Sequence, residues 1–272
     1  MKKVTVQLTA LVMMLGGASS SVKAQEANKI NVVTSAVPFL RISPDARSGG
    51  MGDVGIATTP DASSSFWNLA KTPFNKNSGG AALTYTPWLK DLGLNDVYLV
   101  SGTGFFKLDD LQAISASLRF FSLGSIQFTD NLGNDLSLYR PREFSFDVGY
   151  SRKLSKQLSL GVALRYINSN LAGNNTLNGQ AYKAATAVAG DLSIYHHPKN
   201  ENGAGVSWGV TLTNLGSKIS YTDDAGQKDY IPANLGLGIA YTKVIDEANK
   251  LTFALDLNKL LVPTPPSFST TS

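Results

Sequence analysis

Residue types that bind metal ions or transfer protons are scarce in this chain of 272 residues. It has 0 cysteines and 2 histidines, and the histidines are neighbours, His196 and His197. Neighbouring residues of a strand point to opposite faces of a sheet, so the two imidazoles make a poor metal-binding pair. The G-x-S-x-G match at 205–209 ("GVSWG") lies inside an alternating strand pattern and not at a strand-to-helix turn, so it is no nucleophile elbow, and the serines show no recognisable order with histidine and aspartate. These observations predict no catalytic residues, no metal ligands and no cofactor.

A glycine-rich stretch, Gly49–Gly55 ("GGMGDVG"), raises the question of a phosphate-binding loop. No strand pattern precedes it and no Lys-Ser/Thr pair directly follows its last glycine, so it does not match a P-loop. Close packing of the backbone in a crowded interior explains the glycines better. The stretch lies within residues 41–68 ("RISPDARSGGMGDVGIATTPDASSSFWN"), which do not alternate and consist mostly of small residues.

Two short helices are predicted in and just after this region. Ser43 has the features of an N-cap for the first helix, which a pair of glycines should end. Asp61 is expected to cap the second helix, which should end before Pro73. The region is therefore predicted to be compact but irregular, unlike the remainder of the chain.

The first 24 residues have the features of a secretory signal peptide. Lys2 and Lys3 are followed by an apolar run, residues 4–15, and by a small-x-small cleavage site before Gln25. The apolar run is too short for a membrane-spanning helix, which needs about 20 residues. Removing Lys2, Lys3 and Lys23 lowers the formal net charge from +4 to +1, so no nucleic-acid partner is expected.

From Ala81 onward apolar and polar residues alternate with a period of two, which indicates β-strands with two different faces. About nine such strands can be counted, separated by turn-forming stretches such as "DNLGND" and "TDDAGQKD". One face carries large apolar residues, and the other carries Gly, Ser, Thr and Asn with a few charges. After the signal peptide no apolar run approaches the roughly 18 residues of a membrane helix. A membrane-embedded fold would therefore be a closed β-barrel.

Two folds fit this alternation. A soluble β-sandwich would turn its polar faces to water, whereas an outer-membrane barrel would turn its apolar faces to lipid. The strands are long enough to cross a bilayer at a tilt. Tyrosines near the strand ends suit an interfacial girdle, and they are Tyr150, Tyr166, Tyr195 and Tyr241. These features favour an all-β fold, an antiparallel outer-membrane β-barrel.

In such a barrel the non-alternating segment would fill the lumen as a plug, with Phe66 and Trp67 as its anchors. Charges on the polar strand faces would then either pair with charges of the plug or face water in an open pore. The strand charges are Arg119, Asp147, Arg165, Asp191 and Asp256. The plug charges are Arg41, Asp45, Arg47 and Asp53.

The order of these features resembles one family. The stretches "SPDARSGGMGDVGIAT", "YTPWL" and "ASLRFFSLGSIQFTD" are similar to the PorV family, also called LptO, of the Bacteroidota type IX secretion system. That family is itself related to the long-chain fatty-acid transporter class of barrels. The resemblance covers Val37 to about Leu260. It implies a barrel of fourteen strands in the outer membrane, with an N-terminal segment inside the lumen.

The resemblance also implies a non-enzymatic role in protein secretion. The expected partners are the C-terminal signal domains of secreted cargo, the outer-membrane translocon, a sortase-like attachment protein at the cell surface, and outer-membrane lipid or lipopolysaccharide. Two other functions stay open: a channel for fatty acids or other hydrophobic small molecules, and a lipopolysaccharide (lipid A) O-deacylase. Loops carry recognition, so the expected contacts with cargo lie in loops 171–180, 197–204 and 221–231.

Two departures from the family pattern affect these expectations. Leu69 stands where the family usually has Pro after Trp-Asn, which would let the short helix run on. About nine strands fall short of fourteen, and the chain ends in "VPTPPSFSTTS", so we expect a fragment that does not close a barrel alone. The predicted organisation is a signal peptide (1–24), a plug segment (25–77), barrel strands (78–262) and a Pro- and Ser-rich end (263–272).

Overall fold

The computed structural model describes residues 34–263, apart from 130–131, 174, 178–179, 201, 225–227 and 247. The predicted signal peptide, the first residues of the plug segment and nearly all of the Pro- and Ser-rich end lie outside the described residues. None of the helices within the described ranges is long and apolar enough to span a membrane.

Nine long antiparallel strands form one sheet, in which each strand pairs with the next, and this confirms the nine predicted strands. They are β1 (Gly79–Pro87), β2 (Val97–Lys107), β3 (Gln112–Leu123), β6 (Arg142–Lys153), β7 (Leu158–Asn170), β10 (Ala185–His196), β11 (Gly205–Gly216), β12 (Asn234–Val244) and β13 (Lys250–Leu260). Two short hairpins lie in the connections between long strands. The first, β4 (Ile126–Thr129) with β5 (Asp135–Tyr139), lies at the predicted turn "DNLGND", and the second is β8 (Thr176–Leu177) with β9 (Gln180–Ala181). In the described part of the chain β1 and β13 do not pair with each other, so the sheet is not closed.

The two faces of the sheet have opposite polarity. Large apolar side chains are exposed on the outer face, where Leu83 is 78% exposed. The inner face is polar and buried, and its Arg119 is 1% exposed. A soluble β-sandwich buries its apolar faces instead. The all-β antiparallel prediction is confirmed, and the polarity fits a sheet whose outer face meets lipid.

One tyrosine assigned to the interfacial girdle was assigned wrongly. Tyr195 is buried on the inner face, with its ring centroid 5.8 Å from that of Phe74. Its neighbour Ile194 takes the outer position, and side chains of a strand alternate between faces. The face of the sheet to which Tyr195 points therefore determines its surroundings, and its position along the strand does not. The other three are exposed on the outer face: Tyr150, Tyr166 and Tyr241.

The connections between strands differ in length at the two ends of the sheet. The longer ones define what we call the long-loop end, and they span 88–96, 124–141, 171–184 and 217–233. Those at the opposite, short-turn end span 108–111, 154–157, 197–204 and 245–249. Of the loops expected to contact cargo, 171–180 and 221–231 lie at the long-loop end and 197–204 at the other. The three loops therefore do not form one surface.

The first α-helix of the plug segment, α1, spans Ala46–Gly50. Its N-cap is Asp45, whose carboxylate accepts a hydrogen bond from the backbone N–H of Ser48 over 2.8 Å. The prediction that Ser43 caps this helix is therefore wrong, because the chain enters the helix two residues later. An aspartate fills the cap equally well, since its oxygen reaches the same free N–H.

The second helical region consists of two short helices, α2 (Ser64–Trp67) and the 3₁₀ helix η2 (Leu69–Phe74). Ser63 holds the N-cap position of α2, and the Asp61 carboxylate accepts the Ser63 backbone N–H at 3.0 Å. Asn68 is extended, with φ −163°, and separates the helices, so α2 does not run on into Leu69. Pro73 lies inside η2, whereas the sequence predicted that it would follow the helix.

Candidate functional site

The plug segment, described over residues 34–77, lies on the inner face of the sheet. Each of the nine strands contacts it through a hydrogen bond or close packing. Nine strands laid flat would be roughly 40 Å wide. The edge strands β1 and β13 nevertheless contact one compact part of the segment, at Pro44 and Gly55, which Trp67 joins by bonding to Asp45 and packing on Gly55. The sheet is therefore curved around the segment, and its polar face forms a hollow that the segment occupies.

Strand hydroxyl groups bind the plug segment by its backbone carbonyls. Ser207 of β11 donates to the Ala57 carbonyl over 2.7 Å. The Ala70 carbonyl has no helical donor, because Pro73 lacks an N–H, and it accepts from Ser159 of β7 instead. Two further pairs of this kind are Thr84 with Pro44 and Thr103 with Ala62. Buried carbonyls need such donors, so the strands recognise the path of the plug backbone.

The turn at Gly55 and Ile56 is held from two sides. The Asp256 carboxylate of β13 accepts both backbone N–H groups, at 2.7 and 2.9 Å. The Lys71 ammonium donates to the Gly55 carbonyl over 2.6 Å and to Thr58 Oγ1 over 3.3 Å. Lys71 is 0% exposed, and burial lowers its pKa to about 8. An anion and a cation therefore hold the Gly55–Ile56 peptide group between them.

Two aliphatic side chains of the plug segment occupy space that strand glycines leave free. A Cβ atom at Gly149 would lie 2.6 Å from Leu69, and one at Gly238 would lie 2.6 Å from Ile56. Leu69 and Ile56 are both buried. Protein interiors are close-packed, so any larger residue at these two glycines would displace the plug side chain.

Crowding explains one of the glycines in the Gly49–Gly55 stretch. A Cβ atom at Gly55 would lie 2.2 Å from the Trp67 ring. At Gly50 and Gly52 it would meet nothing within 4 Å, and Gly52 has a φ of +81°, which favours glycine for conformational reasons. The prediction of a crowded backbone is therefore wrong for the exposed part of this stretch.

The two predicted aromatic anchors make different contacts. The Phe66 ring lies against the Arg119 guanidinium of β3, with 4.8 Å between Cζ and the ring centroid. Arg119 also donates to the Leu40 carbonyl over 2.8 Å. Trp67 donates from Nε1 to the Asp45 carboxylate over 2.7 Å. Phe66 thus contacts a strand, whereas Trp67 links α2 to the start of α1 within the plug segment.

Three of the five strand charges pair with each other. Arg165 forms ion pairs with Asp147, which lies directly opposite on β6, and with Asp191 of β10 at 2.9 Å. None of the ion pairs in the described ranges joins a strand to the plug segment. Both alternatives drawn from the sequence, pairing with the plug and exposure to an open pore, are therefore wrong for these three residues. The partners on adjacent strands are nearer than the plug.

The plug charges also bond in ways that the sequence did not indicate. Arg47 pairs with Asp61 over 2.6 Å, within the plug segment itself. Arg41 donates to the side-chain oxygen of Asn234 on β12 over 2.8 Å. Asp53 has a left-handed backbone, with φ 58°, and lines a polar cavity of about 190 Å³ together with Arg41. Arg41 therefore bonds to a strand through a neutral amide side chain and not through an ion pair.

An apolar cluster occupies the long-loop end of the hollow. The plug contributes Val37, Phe39 and Leu40, which lie next to or within the 3₁₀ helix η1 (Pro38–Arg41) and are buried. They belong to one cluster with residues of the strands and of loop 217–233, including Val97, Leu99, Phe121, Ile167, Ile219 and Ile231. The hollow is therefore apolar at this end and polar in its middle.

An aromatic cluster occupies the short-turn end. The ring of Phe74 stacks on His197, with centroids 4.7 Å apart, and burial lowers the pKa of His197 to about 4. The other histidine, His196, stacks on Trp208 at 5.4 Å. The two imidazoles therefore have separate surroundings. Within the described ranges no group of three or more His, Asp or Glu side chains could hold a metal ion.

Three buried residues that hold the plug segment were missed: Ile56, Asn68 and Lys71. Asn68 donates to the carbonyls of Ile56 at 3.1 Å and of Ile194 at 2.9 Å, and it accepts the N–H of Ala70 at 3.1 Å. The available signal was the stretch "FWNLAKTPF", in which Asn68 and Lys71 interrupt a run of apolar residues. A polar residue in such a run is a sign of burial with a partner.

Comparison with models of known protein families identifies the family of this chain. The model of the family described as "Type IX secretion system protein PorV" matches residues 23–267. A search of the curated proteins finds no match. The match covers most of the chain, so the chain belongs to the PorV family of outer-membrane components of the type IX secretion system, as the sequence resemblance indicated.

Proposed function

We propose that this PorV-family protein is a non-enzymatic adaptor for secreted cargo. It binds the C-terminal signal domain of the cargo, takes the cargo from the outer-membrane translocon, and passes it to a sortase-like attachment protein at the cell surface. Membership of a secretion-system family supports the cellular process. The observation that favours an adaptor is the occupied hollow, in which all nine strands contact the plug segment.

The chemistry of the hollow does not favour a path for hydrophobic small molecules. Its middle is lined by buried hydroxyl groups and by the ion-paired side chains of Arg165, Asp147 and Asp191. A fatty-acid chain would gain little by entering this part of the hollow, because the hydrophobic effect favours transfer into apolar surroundings and the lining here is polar. The apolar outer face instead supports contact with outer-membrane lipid and lipopolysaccharide.

The long-loop end is the part of the protein that we propose for cargo contact. Loops 171–184 and 217–233 lie there together, whereas loop 197–204 lies at the opposite end. Loop 217–233 exposes the Tyr230 side chain, and its backbone also bonds to loop 171–184 through the N–H of Lys183 and the carbonyl of Tyr221. Tyrosine is enriched where proteins bind each other.

The experiment is capture of the full-length protein from outer membranes by an immobilised cargo C-terminal signal domain. We expect capture of the unchanged protein, weaker capture of Tyr230→Ala, and unchanged capture of Lys199→Ala, which changes an exposed residue at the short-turn end. Absence of capture of the unchanged protein would contradict the adaptor function. Weaker capture of Lys199→Ala with unchanged capture of Tyr230→Ala would instead indicate that cargo binds at the short-turn end.

Two additional assays separate the adaptor from the other functions. Cells that express the protein are given a labelled fatty acid, and their lipid A is compared with that of a deletion strain. We expect unchanged uptake and unchanged lipid A acylation. Uptake that depends on the protein would favour a channel, and loss of deacylated lipid A in the deletion strain would favour a hydrolase.

A further inference from the structure

The plug segment crosses the hollow from one end to the other. At its start the backbone N–H of Ala36 donates to the Tyr230 carbonyl in loop 217–233 over 3.0 Å. The next residues, Val37 and Phe39, belong to the apolar cluster at the long-loop end. The beginning of the described chain is therefore fixed at the long-loop end of the sheet.

The end of the plug segment lies at the opposite side. Phe74 stacks on His197, which directly follows β10 at the short-turn end. The Ser78 carbonyl accepts the backbone N–H of Lys107 over 2.7 Å, at the point where β2 ends. Between the two ends Ile56 and Leu69 pack on the middle of the strands, at Gly238 and Gly149. The chain therefore enters at one end and leaves at the other to begin β1.

The lengths of the connections between strands indicate which end of the sheet faces which side of the membrane. Outer-membrane barrels have short turns on the periplasmic side and longer loops on the extracellular side. We infer that the plug segment enters the hollow from the cell surface and leaves it on the periplasmic side, so that Thr34 faces the outside of the cell. This inference requires the outer-membrane location and does not depend on cargo binding.

One consequence concerns the surface that partners meet. Residues Thr34–Ala36 and loop 217–233 are joined by the Ala36–Tyr230 hydrogen bond into one surface. A partner that approaches from the cell surface would contact the start of the plug segment, whereas a periplasmic partner would contact its end at residues 75–78. The two ends of the plug segment would thus be accessible from opposite sides of the membrane.

The test uses the 0 cysteines of the chain, which make any introduced cysteine a unique label site. Single variants of the full-length protein are expressed in their own cells and treated with a membrane-impermeant maleimide, before and after permeabilisation. Thr34→Cys and Asn77→Cys report on the two ends of the plug segment, and both positions are exposed. The controls are Leu92→Cys in a long loop and Lys156→Cys in a short turn, also exposed.

We expect Thr34→Cys and Leu92→Cys to be labelled on intact cells, and Asn77→Cys and Lys156→Cys to be labelled only after permeabilisation. Labelling of Thr34→Cys only after permeabilisation would overturn the inference, as would surface labelling of Lys156→Cys in place of Leu92→Cys. Either result can be obtained with cargo capture intact. Failure of this inference is therefore distinguishable from failure of the adaptor function.

Discussion

Lys71 allows the burial of the plug segment to be measured through pH. Burial lowers its pKa from 10.5 to about 8. Below pH 8 the side chain is protonated in both the folded and the unfolded chain. Between about pH 8 and 10.5 the unfolded chain binds more protons than the folded one, so the free energy of unfolding rises with pH across this window.

The size of the effect follows from the two pKa values. Their difference, at about 1.4 kcal/mol per pKa unit, corresponds to about 3 kcal/mol of added stability once both states are deprotonated. In Lys71→Met this rise is absent, because no group titrates there. The variant also leaves the Gly55 carbonyl without its donor, which costs about 1–3 kcal/mol and partly offsets the relief from burying a charge.

The measurement is urea unfolding of the full-length protein in lipid vesicles, followed by tryptophan fluorescence between pH 7 and pH 10.5. At each pH the free energy of unfolding of Lys71→Met is subtracted from that of the unchanged protein, because all other titratable groups are common to both. Lys76→Met, which removes an exposed lysine of the same segment, serves as the control and should keep the rise. Parallel pH dependences of the unchanged protein and Lys71→Met would refute the burial of Lys71.

Two other predictions concern packing and charge. In Gly238→Val the new side chain would meet Ile56, so we expect a loss of about 1–3 kcal/mol and faster cleavage of the plug segment by trypsin. Gly102→Val, whose Cβ would lie 3.7 Å from Leu83, should change neither measurement, and equal effects of the two variants would contradict the close fit. Arg165→Met leaves Asp147 and Asp191 buried without their cation and should cost about 3–5 kcal/mol in the same unfolding assay. Arg47→Met breaks an exposed ion pair and should cost at most about 1 kcal/mol, so a similar loss in both arginine variants would count against the buried network.

The strands could be predicted because their signal is local. A strand alternates between two faces whatever its neighbours are, so the period of two identifies each strand without knowledge of the sheet. The same rule gives the correct side for Tyr195, which follows the outward Ile194. The prediction that Tyr195 belongs to the outer girdle used its position near the end of a strand and not this alternation, and it was therefore wrong.

The contacts of the charged residues could not be predicted, because they depend on the exact register between strands and on the path of the plug segment, which alternation alone does not give. Arg165 and Asp147 lie opposite each other only because β6 pairs with β7 in one register. Lys71 is buried because η2 turns its side chain toward the Gly55 carbonyl, and nothing near Lys71 in sequence specifies that direction. A side chain in an irregular segment has no period from which its direction can be derived.

Leu69 illustrates how local conformation and packing contribute separately at one position. It is the first residue of η2, directly after the Asn68 cap, and proline is well tolerated at the first position of a helix. The backbone there suits the proline that the family usually has as well as it suits leucine. The difference lies in the side chain, because Leu69 reaches the space above Gly149 and Gly161, where an added Cβ would lie 2.6 Å and 3.1 Å from it. The replacement therefore affects the fit between plug and strands, and it leaves the break between α2 and η2 in place.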